Sequence, residues 1–282
     1  MSGILYLCAT PIGNLEDITF RVIRVLKEAD LIAAEDTRNS IKLLNHFDIH
    51  TPMTSYHEFN KMEKGRYLIG QLLEGKNIAL ITDAGTPGIS DPGEELVQQC
   101  HEEGIQVTSV PGPAACISAL VMSGLPTRRF AFEAFLPPDK KKRRQILEEL
   151  KTETRTIILY EAPHRLVKTL DELKEMLGNR RMTLCRELTK KHETCMRTTI
   201  DDLIIFYKDH KPLGECVLVI EGVSREELQK EEQQNWMKIS IEEHVEMYEK
   251  EGLSRKEAMK RAAKERGLSK RDIYQSFLRG EE

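Results

Sequence analysis

The sequence predicts an α/β protein with two α/β domains and a small helical C-terminal extension. Short apolar segments alternate with amphipathic ones over most of the 282 residues, which is the pattern of strands and helices in an α/β sheet. Three of the apolar segments run directly into loops rich in glycine and proline. The residues after 223 are highly charged and contain no strand pattern, which indicates a separate helical segment.

The first domain, predicted over residues 1–124, begins the alternation of strands and helices. Strands are predicted at Ile4–Cys8, Leu31–Ala34, Ile78–Thr82 and Val107–Val110. Helices are predicted near residues 18–29, 66–74, 94–103 and 114–123. Because the strands are short and apolar throughout, they favour a parallel sheet that helices cover on both faces.

The second domain, predicted over residues 125–223, repeats this alternation. Its strands are predicted at Phe130–Phe135, Thr156–Tyr160, Met182–Arg186 and Cys216–Glu221. Its helices are predicted near residues 144–151, 165–177 and 201–207. The pattern indicates another α/β unit and allows a sheet of mixed strand direction.

The C-terminal extension, predicted over residues 224–282, divides into two blocks of opposite charge. Residues 226–251 carry nine acidic and three basic side chains, whereas residues 254–282 carry nine basic and five acidic ones. Two short capped helices are predicted in the basic block, the first beginning at Ser254 and ending at Gly267. The extension suits either a contact with RNA or the packing of a homodimer, with Trp236 and Ala258 as anchors.

Composition limits the classes of partner. The formal net charge of −4 and the pI near 6.1 predict no global field for a polyanion, so contact with nucleic acid requires local basic patches. Six cysteines without a CxxC pair indicate reduced, buried thiols. No apolar run has the length of a membrane span, and the residue spacing predicts no metal site. A cytoplasmic protein that enters no membrane is expected.

Three glycine- and proline-rich loops follow predicted strands. They read ATPIGN at 9–14, DAGTPGISDPG at 83–93 and VPGPAA at 110–115. Each alone is typical of a tight turn between a strand and a helix. Loops at the carboxyl ends of strands in a parallel sheet border the ligand site, so the three together predict one crevice. None has the pattern of a dinucleotide or nucleoside triphosphate loop.

The sequence resembles the tetrapyrrole methylase superfamily and, within it, the ribosomal RNA small-subunit methyltransferase I group. The resemblance is carried by ATPIGNLEDIT, AAEDTR (33–38), SYHEFN (55–60), LITDAGTPGISDPG, SVPGPAA, LYEAPHR (159–165) and LCRELTK (184–190). It implies two α/β domains that hold S-adenosylmethionine in the cleft between them. It also implies methylation of a cytidine ribose 2′-oxygen in small-subunit 16S rRNA, and a possible homodimer.

The resemblance also assigns cofactor-binding positions. They are Pro11 in the first loop, Ala84, Gly85, Thr86 and Ile89 in the second, Ala114 and Ala115 in the third, and Ala162 and Leu188 in the second domain. Many superfamily members carry GDP where this chain has Gly85, Thr86 and Pro87, so backbone groups and a hydroxyl replace a carboxylate. S-adenosylmethionine has no phosphate, which suits small side chains and backbone groups rather than a lysine-rich loop.

A ribose hydroxyl is a weak nucleophile near neutral pH, so the reaction requires a positioned base or a cation that favours the alkoxide. The candidate acids are Asp36 and Glu161, and the candidates that orient the substrate are Arg38, His57, Arg165 and Arg186. The structural alternative makes Asp36 a helix start, His57 a turn residue and Arg186 half of an ion pair. Both interpretations stay open at this level.

Basic residues form two candidate RNA-binding patches. The first is the run Lys140, Lys141, Lys142, Arg143 and Arg144, and the second comprises Arg255, Lys260, Lys270 and Arg271 of the extension. Such runs are also typical of solvated helix faces. Two further functions are considered, namely methylation of a tetrapyrrole intermediate and non-catalytic RNA binding during assembly. The basic extension weighs against the first of these, and the three intact loops weigh against the second.

Overall fold

The computed structural model describes residues 1–279, without the side chains of Lys270 and of residues 276–279. The chain divides into two compact units, the first formed by residues 1–148 and 156–221 and the second by residues 149–155 and 222–282. The first unit contains both sheets. The second unit is helical, and the predicted bounds of the extension, 224–282, stay a prediction.

The first sheet has five parallel strands. They are β1 (Ile4–Cys8), β2 (Leu31–Ala34), β3 (Met53–Ser55), β4 (Ile78–Ile81) and β5 (Gln106–Val110), in the order β3-β2-β4-β1-β5. Parallel pairing joins every neighbouring pair, which confirms the predicted parallel sheet. All four residues of β4 are buried, as expected for a central strand between two helical layers.

Helices cover both faces of the first sheet. They are α1 (Phe20–Glu28), α2 (Thr37–His46), α3 (Lys61–Leu73) and α4 (Gly93–Glu102). One apolar cluster includes Val22, Leu26 and Leu44, and a separate one includes Leu68, Leu72 and Leu96. The two clusters use alternate residues of the same strands, since Ala79 belongs to the first and Leu80 to the second.

The second sheet mixes strand directions. Its strands are β6 (Phe130–Phe135), β7 (Thr156–Glu161), β8 (Arg181–Arg186), β9 (Thr194–Thr199) and β10 (Cys216–Ile220), in the order β6-β7-β10-β8-β9. The β6–β7 pair is parallel and the other pairs are antiparallel. A register shift between Phe132 and Ala134 interrupts the β6–β7 ladder.

Helices α5 (Ala115–Ser123), α6 (Lys140–Lys151), α7 (Pro163–Leu177) and α8 (Ile200–Asp209) accompany the second sheet. Helix α5 packs on it through Cys116, Ala119 and Leu120, although the sequence places this helix before the domain boundary predicted at residue 124. That boundary stays a prediction. Six cysteines are unpaired thiols, of which Cys195 is half-buried and the others are buried.

The second unit contains helices α9 (Arg225–Trp236), α10 (Ile241–Lys250), α11 (Arg255–Arg266) and α12 (Lys270–Arg279). Capping boxes at Ser224, Ser240 and Ser254 begin the first three, and Gly267 in the left-handed conformation ends α11. Ala258 is fully buried in the core of this unit, so it is not an exposed anchor for a dimer.

Among the helices of residues 1–279, none combines the length and the apolar character that a bilayer crossing requires.

Candidate active site

The three glycine- and proline-rich loops meet at one edge of the first sheet. They leave the carboxyl ends of β1, β4 and β5, which are neighbours in the order β4-β1-β5. Thr10 and Gly85 exchange two backbone hydrogen bonds of 2.9 and 3.0 Å, which join the first loop to the second. The Thr86 hydroxyl donates to the Pro113 carbonyl at 3.1 Å, which joins the second loop to the third. The sequence prediction that these loops form one crevice is therefore confirmed.

The loops border a first cavity of about 450 Å³. Eight of the nine predicted cofactor positions line it, namely Ala84, Gly85, Thr86, Ile89, Ala114, Ala115, Ala162 and Leu188. Pro11 instead lines an adjoining second cavity of about 410 Å³. The structure thus places eight of the predicted positions at the cavity that all three loops border, and Pro11 at the cavity next to it.

Backbone conformation makes glycine necessary in the second loop. Gly85 has φ +86°, in the left-handed region, and a Cβ there would lie 3.5 Å from Ile12 Cγ2 and 3.7 Å from the Pro113 carbonyl oxygen. An L side chain would be strained in this conformation regardless of the space available. Glycine at this position therefore lets the backbone follow this path beside the first cavity without strain.

Asp91 holds the second loop in shape. Its carboxylate accepts hydrogen bonds from the backbone N–H of Gly88 at 2.9 Å, Ile89 at 3.1 Å and Gly93 at 2.8 Å. These bonds keep Ser90 between them in the left-handed conformation, at φ +67°. Asp91 was not among the predicted site residues, although an aspartate followed by Pro-Gly is a typical turn signal.

Aromatic side chains of the second sheet form the opposite wall of the first cavity. The ring of Tyr160 lies 5.0 Å from that of Phe132 and 5.5 Å from that of Phe135, and its hydroxyl accepts a hydrogen bond of 3.1 Å from the Cys116 N–H. Phe135 and Tyr160 line the cavity, and Phe135 is half exposed. Neither residue was among the predicted site residues, because their contact depends on the packing of β6 against β7.

Carboxylates dominate the charge of the first cavity. The acids that line it are Glu35, Asp83, Asp91, Glu161 and Glu215, and the described lining contains no lysine, arginine or histidine. Burial is the main cause that raises the pKa of Glu35, with the charges of Asp83 and Asp91 adding to it. The Glu35 carboxylate accepts a hydrogen bond of 3.3 Å from the Asp83 N–H. This wall suits a cationic ligand better than a phosphate.

Asp36, a predicted acid, lies at the start of α2 and outside the lining of both cavities. Its carboxylate accepts from the Arg38 N–H at 2.8 Å and from the Arg38 guanidinium at 2.7 and 3.1 Å. Hydrogen bonds from Arg38 lower the pKa of Asp36 to about 2. Such a carboxylate is a weak base near neutral pH, and its geometry is that of a helix cap.

Glu161 lies at the end of β7 and is 2% exposed. It accepts hydrogen bonds from the Ala162 N–H at 2.9 Å and the Thr169 hydroxyl at 2.5 Å, and its carboxylate lies 3.2 Å from Arg165 Nε. Arg165 also donates to the Leu136 carbonyl at 2.5 Å. Glu161 lines the first cavity but already has several partners, so the structure gives it the geometry of an orienting residue.

Arg143 corrects the prediction for the first basic patch. It was expected to contact RNA, but it is 6% exposed and points inward. Its guanidinium lies 2.5 Å from Glu172, donates to the Thr169 hydroxyl at 2.7 Å and lies 3.9 Å from Glu161. In a helix that begins with five cations, one of them must face the core side, and here Arg143 does.

The other members of the two basic patches are exposed where the structure describes them. Lys140, Lys141, Lys142 and Arg144 lie in the first turns of α6, and Arg255, Lys260 and Arg271 lie in the second unit. Arg144 lies 2.9 Å from Glu148, one turn later. The Lys270 side chain lies outside the described residues. The structure brings Lys140, Arg143 and Arg144 together around a third cavity of about 350 Å³.

His57 and Arg186 lie outside the linings of the first and second cavities. The His57 N–H donates to Asn60 Oδ1 at 2.8 Å, which is the turn role offered as the alternative. Arg186 faces Cys216 of β10 across the ladder. Among residues 1–279, buried His57 Nδ1 and Arg186 Nε have no hydrogen-bond partner.

A sequence profile of the family described as "Tetrapyrrole (Corrin/Porphyrin) Methylases" matches residues 5–204 of this chain. "Ribosomal RNA small subunit methyltransferase I" of Halalkalibacterium halodurans is 53% identical over 275 residues, which cover 98% of this chain and 94% of that protein. The protein of the same name from Bacillus subtilis is 48% identical over 275 residues, with the same coverage of 98% and 94%.

Solved structures share the fold at lower sequence identity. Diphthine synthase superposes with a TM-score of 0.62 at 13% identity, over 78% of this chain and 90% of that one. The uroporphyrin-III C-methyltransferase of Thermus thermophilus complexed with S-adenyl homocysteine gives a TM-score of 0.54 at 22% identity. That superposition covers 77% of this chain and 97% of the other.

Proposed function

This chain belongs to the tetrapyrrole methylase family and, within it, to the group of ribosomal RNA small subunit methyltransferase I proteins, and from that membership we propose its function. It transfers a methyl group from S-adenosylmethionine to small-subunit 16S rRNA, at the ribose 2′-hydroxyl of a cytidine. The observation that carries the proposal is the meeting of three hydrogen-bonded loops around the first cavity. The relatives named for rRNA methylation match 98% of the chain, which favours RNA over a tetrapyrrole as the substrate.

The residues of the first cavity fit S-adenosylmethionine in shape and charge. When bound, S-adenosylmethionine supplies a methyl group on a positively charged sulfur. Asp83 and Glu35 have no basic side chain beside them in the lining and favour a cationic ligand, and the small side chains of Ala84, Ala114 and Ala115 leave backbone groups accessible. The rings of Phe135 and Tyr160 offer a flat apolar wall for a heterocyclic base.

The chain's own contribution is to align the reacting groups in a space with little water. Glu161 fixes the beginning of α7 through the Ala162 N–H and holds Arg165, so we assign it an orienting role. Asp36 caps α2 and holds Arg38, whose side chain is 87% exposed. Arg38, Arg165 and Arg186 remain the proposed phosphate-holding groups, and His57 remains a proposed orienting group.

Exposed cations of the two basic patches supply the proposed contacts with the rRNA backbone. Lys140, Lys141, Lys142 and Arg144 form one set, and Arg255, Lys260 and Arg271 form the other. Phosphate contacts of this kind position a nucleic acid without reading its sequence. A homodimer and a cytoplasmic location complete the proposal, and sedimentation equilibrium of the purified chain tests the dimer.

Transfer of labelled methyl groups tests the function directly. The purified protein is incubated with labelled S-adenosylmethionine and with 30S particles that lack the modification, and the modified nucleotide is then mapped. We expect label at one cytidine ribose of 16S rRNA. Label on a base, or no label on either naked RNA or particles despite calorimetric binding of S-adenosylmethionine, would refute the proposed reaction.

A further inference from the structure

The second cavity adjoins the first and shares part of its wall. Residues that line both cavities are Ile12, Thr82, Asp83, Ala84 and Glu215. The other residues that line the second cavity belong mainly to the first loop and to α2. Lys190, between β8 and β9 of the second sheet, lines it as well. A ligand in one cavity therefore lies next to a ligand in the other, across the end of β4.

The two cavities differ in charge. The described lining of the first has no basic side chain, whereas Lys42, His46 and Lys190 line the second. Lys190 is held by Glu187 at 3.1 Å and Glu215 at 2.9 Å, while Lys42 is exposed on α2. The exposed ammonium group of Lys42 suits the second cavity to a ligand with a phosphate.

The second cavity also offers neutral polar and apolar groups. Ser40 is 5% exposed, and among residues 1–279 its hydroxyl has no hydrogen-bond partner. A buried hydroxyl without a partner is costly, so a ligand that bonds to it relieves that cost. Leu15 and Leu43 supply apolar surface beside it, and Leu15 is 41% exposed. Such a combination suits a nucleoside, which has polar edges and apolar faces.

Asp83 lies on the shared wall at the end of β4. Its Oδ2 accepts a hydrogen bond of 3.3 Å from the Asn39 side chain, and its N–H is held by Glu35. The carboxylate is exposed and lines both cavities. It is therefore placed where a group in the second cavity would meet a group in the first.

We propose that the second cavity binds the acceptor nucleotide, with its phosphate toward Lys42 and its ribose hydroxyl donating a hydrogen bond to the Asp83 carboxylate. This inference rests on the proposed function, because it takes the first cavity as the place of the methyl donor. Ser40 bonds to the nucleoside, and Leu15 with Leu43 contacts its flat face. Asp83 then orients the reacting hydroxyl, while Glu161 keeps its role of holding Arg165 and the beginning of α7, and Asp36 that of capping α2.

Nuclear magnetic resonance of the full chain tests the location without requiring turnover. Cytidine 5′-monophosphate is titrated into protein saturated with S-adenosylhomocysteine, and side-chain methyl signals are followed. We expect shifts at Leu15 and Leu43. Shifts confined to Leu147 and Met176 of the third cavity, or none at saturating nucleotide, would overturn the assignment.

A matched pair of charge reversals tests the phosphate contact. We expect Lys42→Glu to weaken binding of cytidine 5′-monophosphate about 10-fold, since a charge-assisted hydrogen bond contributes roughly 1.5 kcal/mol. The control is Lys27→Glu, an exposed lysine of α1 with the same charge change and outside all three cavities. Equal loss in both variants, or a loss of S-adenosylhomocysteine affinity with Lys42→Glu alone, would contradict the proposal.

Asp83→Asn provides a separate readout for the hydroxyl contact. We expect it to weaken cytidine 5′-monophosphate severalfold more than 2′-deoxycytidine 5′-monophosphate, because only the first carries the hydroxyl. An equal effect on both nucleotides would remove the contact from the proposal. If instead the wild-type protein binds nucleotide in the second cavity but methylates no rRNA, the proposed function fails while the nucleotide site stands.

Discussion

The parallel sheet borders the first cavity with loops that leave its strand ends, whereas the mixed sheet borders it with side chains carried on β6, β7 and β10. Loop backbone from the parallel sheet sets the shape of the cavity through Gly85 and Asp91. Buried side chains from the mixed sheet, such as Glu161, hold the opposite wall of the cavity in place through ion pairs and hydrogen bonds. Changes in the loops should therefore alter ligand affinity, and changes in the bracing network should alter stability.

The largest expected effect lies in the bracing network. Arg143→Ala removes the buried cation between Glu172 and Glu161, which then keep only Lys168 and Arg165 as cationic neighbours, so we expect a loss of about 3 kcal/mol in the free energy of unfolding. The control is Arg144→Ala, whose exposed ion pair with Glu148 contributes about 0.5 kcal/mol or less. Urea unfolding measures both. Equal stability of the two variants would contradict the inward role of Arg143.

A change in the second loop should alter ligand affinity rather than the stability of the fold. Gly85→Val imposes strain of roughly 1–3 kcal/mol beside the first cavity, so we expect affinity for S-adenosylmethionine to fall about 10- to 100-fold. Gly104→Val is the matched control, because Gly104 has φ +66° with open space around its Cα and lies outside the cavity. Calorimetry measures both. Similar losses of affinity would show that backbone strain acts globally rather than at the loop.

Surface cations should give a smaller effect. Lys141→Ala removes one exposed cation of α6, and we expect the slope of log K against log salt for RNA binding to fall by about 1. Lys27→Ala, on α1, should leave that slope unchanged. Binding of labelled rRNA fragments at several salt concentrations measures the slope. An unchanged slope for Lys141→Ala would exclude the first basic patch from the RNA contact.

The smallest expected effect is a difference between Glu35 and Asp36 in how their contributions to stability depend on pH. Burial raises the pKa of Glu35, so its stabilising contribution is present at low pH and lost as pH rises through the raised value. Hydrogen bonds from Arg38 lower the pKa of Asp36 from 3.8 to about 2, so its contribution is present above 3.8 and lost as pH falls toward 2. At neutral pH, Glu35→Gln should therefore stabilise the fold and Asp36→Asn should destabilise it. Urea unfolding at several pH values measures both, and a change of the same sign would contradict this assignment.

Strand positions were predictable wherever burial required continuous apolar residues. β1, β2 and β6 have the predicted bounds, and β4 differs by one residue. β3 and β9 were missed, because β3 has three residues and the TCMRTT of β9 has no buried residue to reveal it. Helix α2 was missed as a whole, although Asp36 at its start was recognised as a helix signal in the structural alternative.

Loop positions were also predictable, whereas the partners of charged side chains were not. Glycine and proline mark a strand-to-helix loop locally, so the three loops followed from the sequence, whereas the cofactor positions are implied by the family resemblance and stay predictions. Whether a charge points inward depends on the helix face that packs, as with Arg143. Glu35 and Asp83 come together only because β2 pairs with β4, although the two residues lie nearly fifty positions apart in the sequence.

Asp91 also explains why the second loop does not follow the chemistry of nucleotide-binding loops. Successive backbone amides in such loops form a concave nest that binds a phosphate oxygen. Here the carboxylate of the same chain already accepts from the amides of Gly88, Ile89 and Gly93. The Asp91 carboxylate therefore occupies the position that a phosphate would take on these amides. The loop disfavours a polyphosphate and is compatible with a positively charged donor.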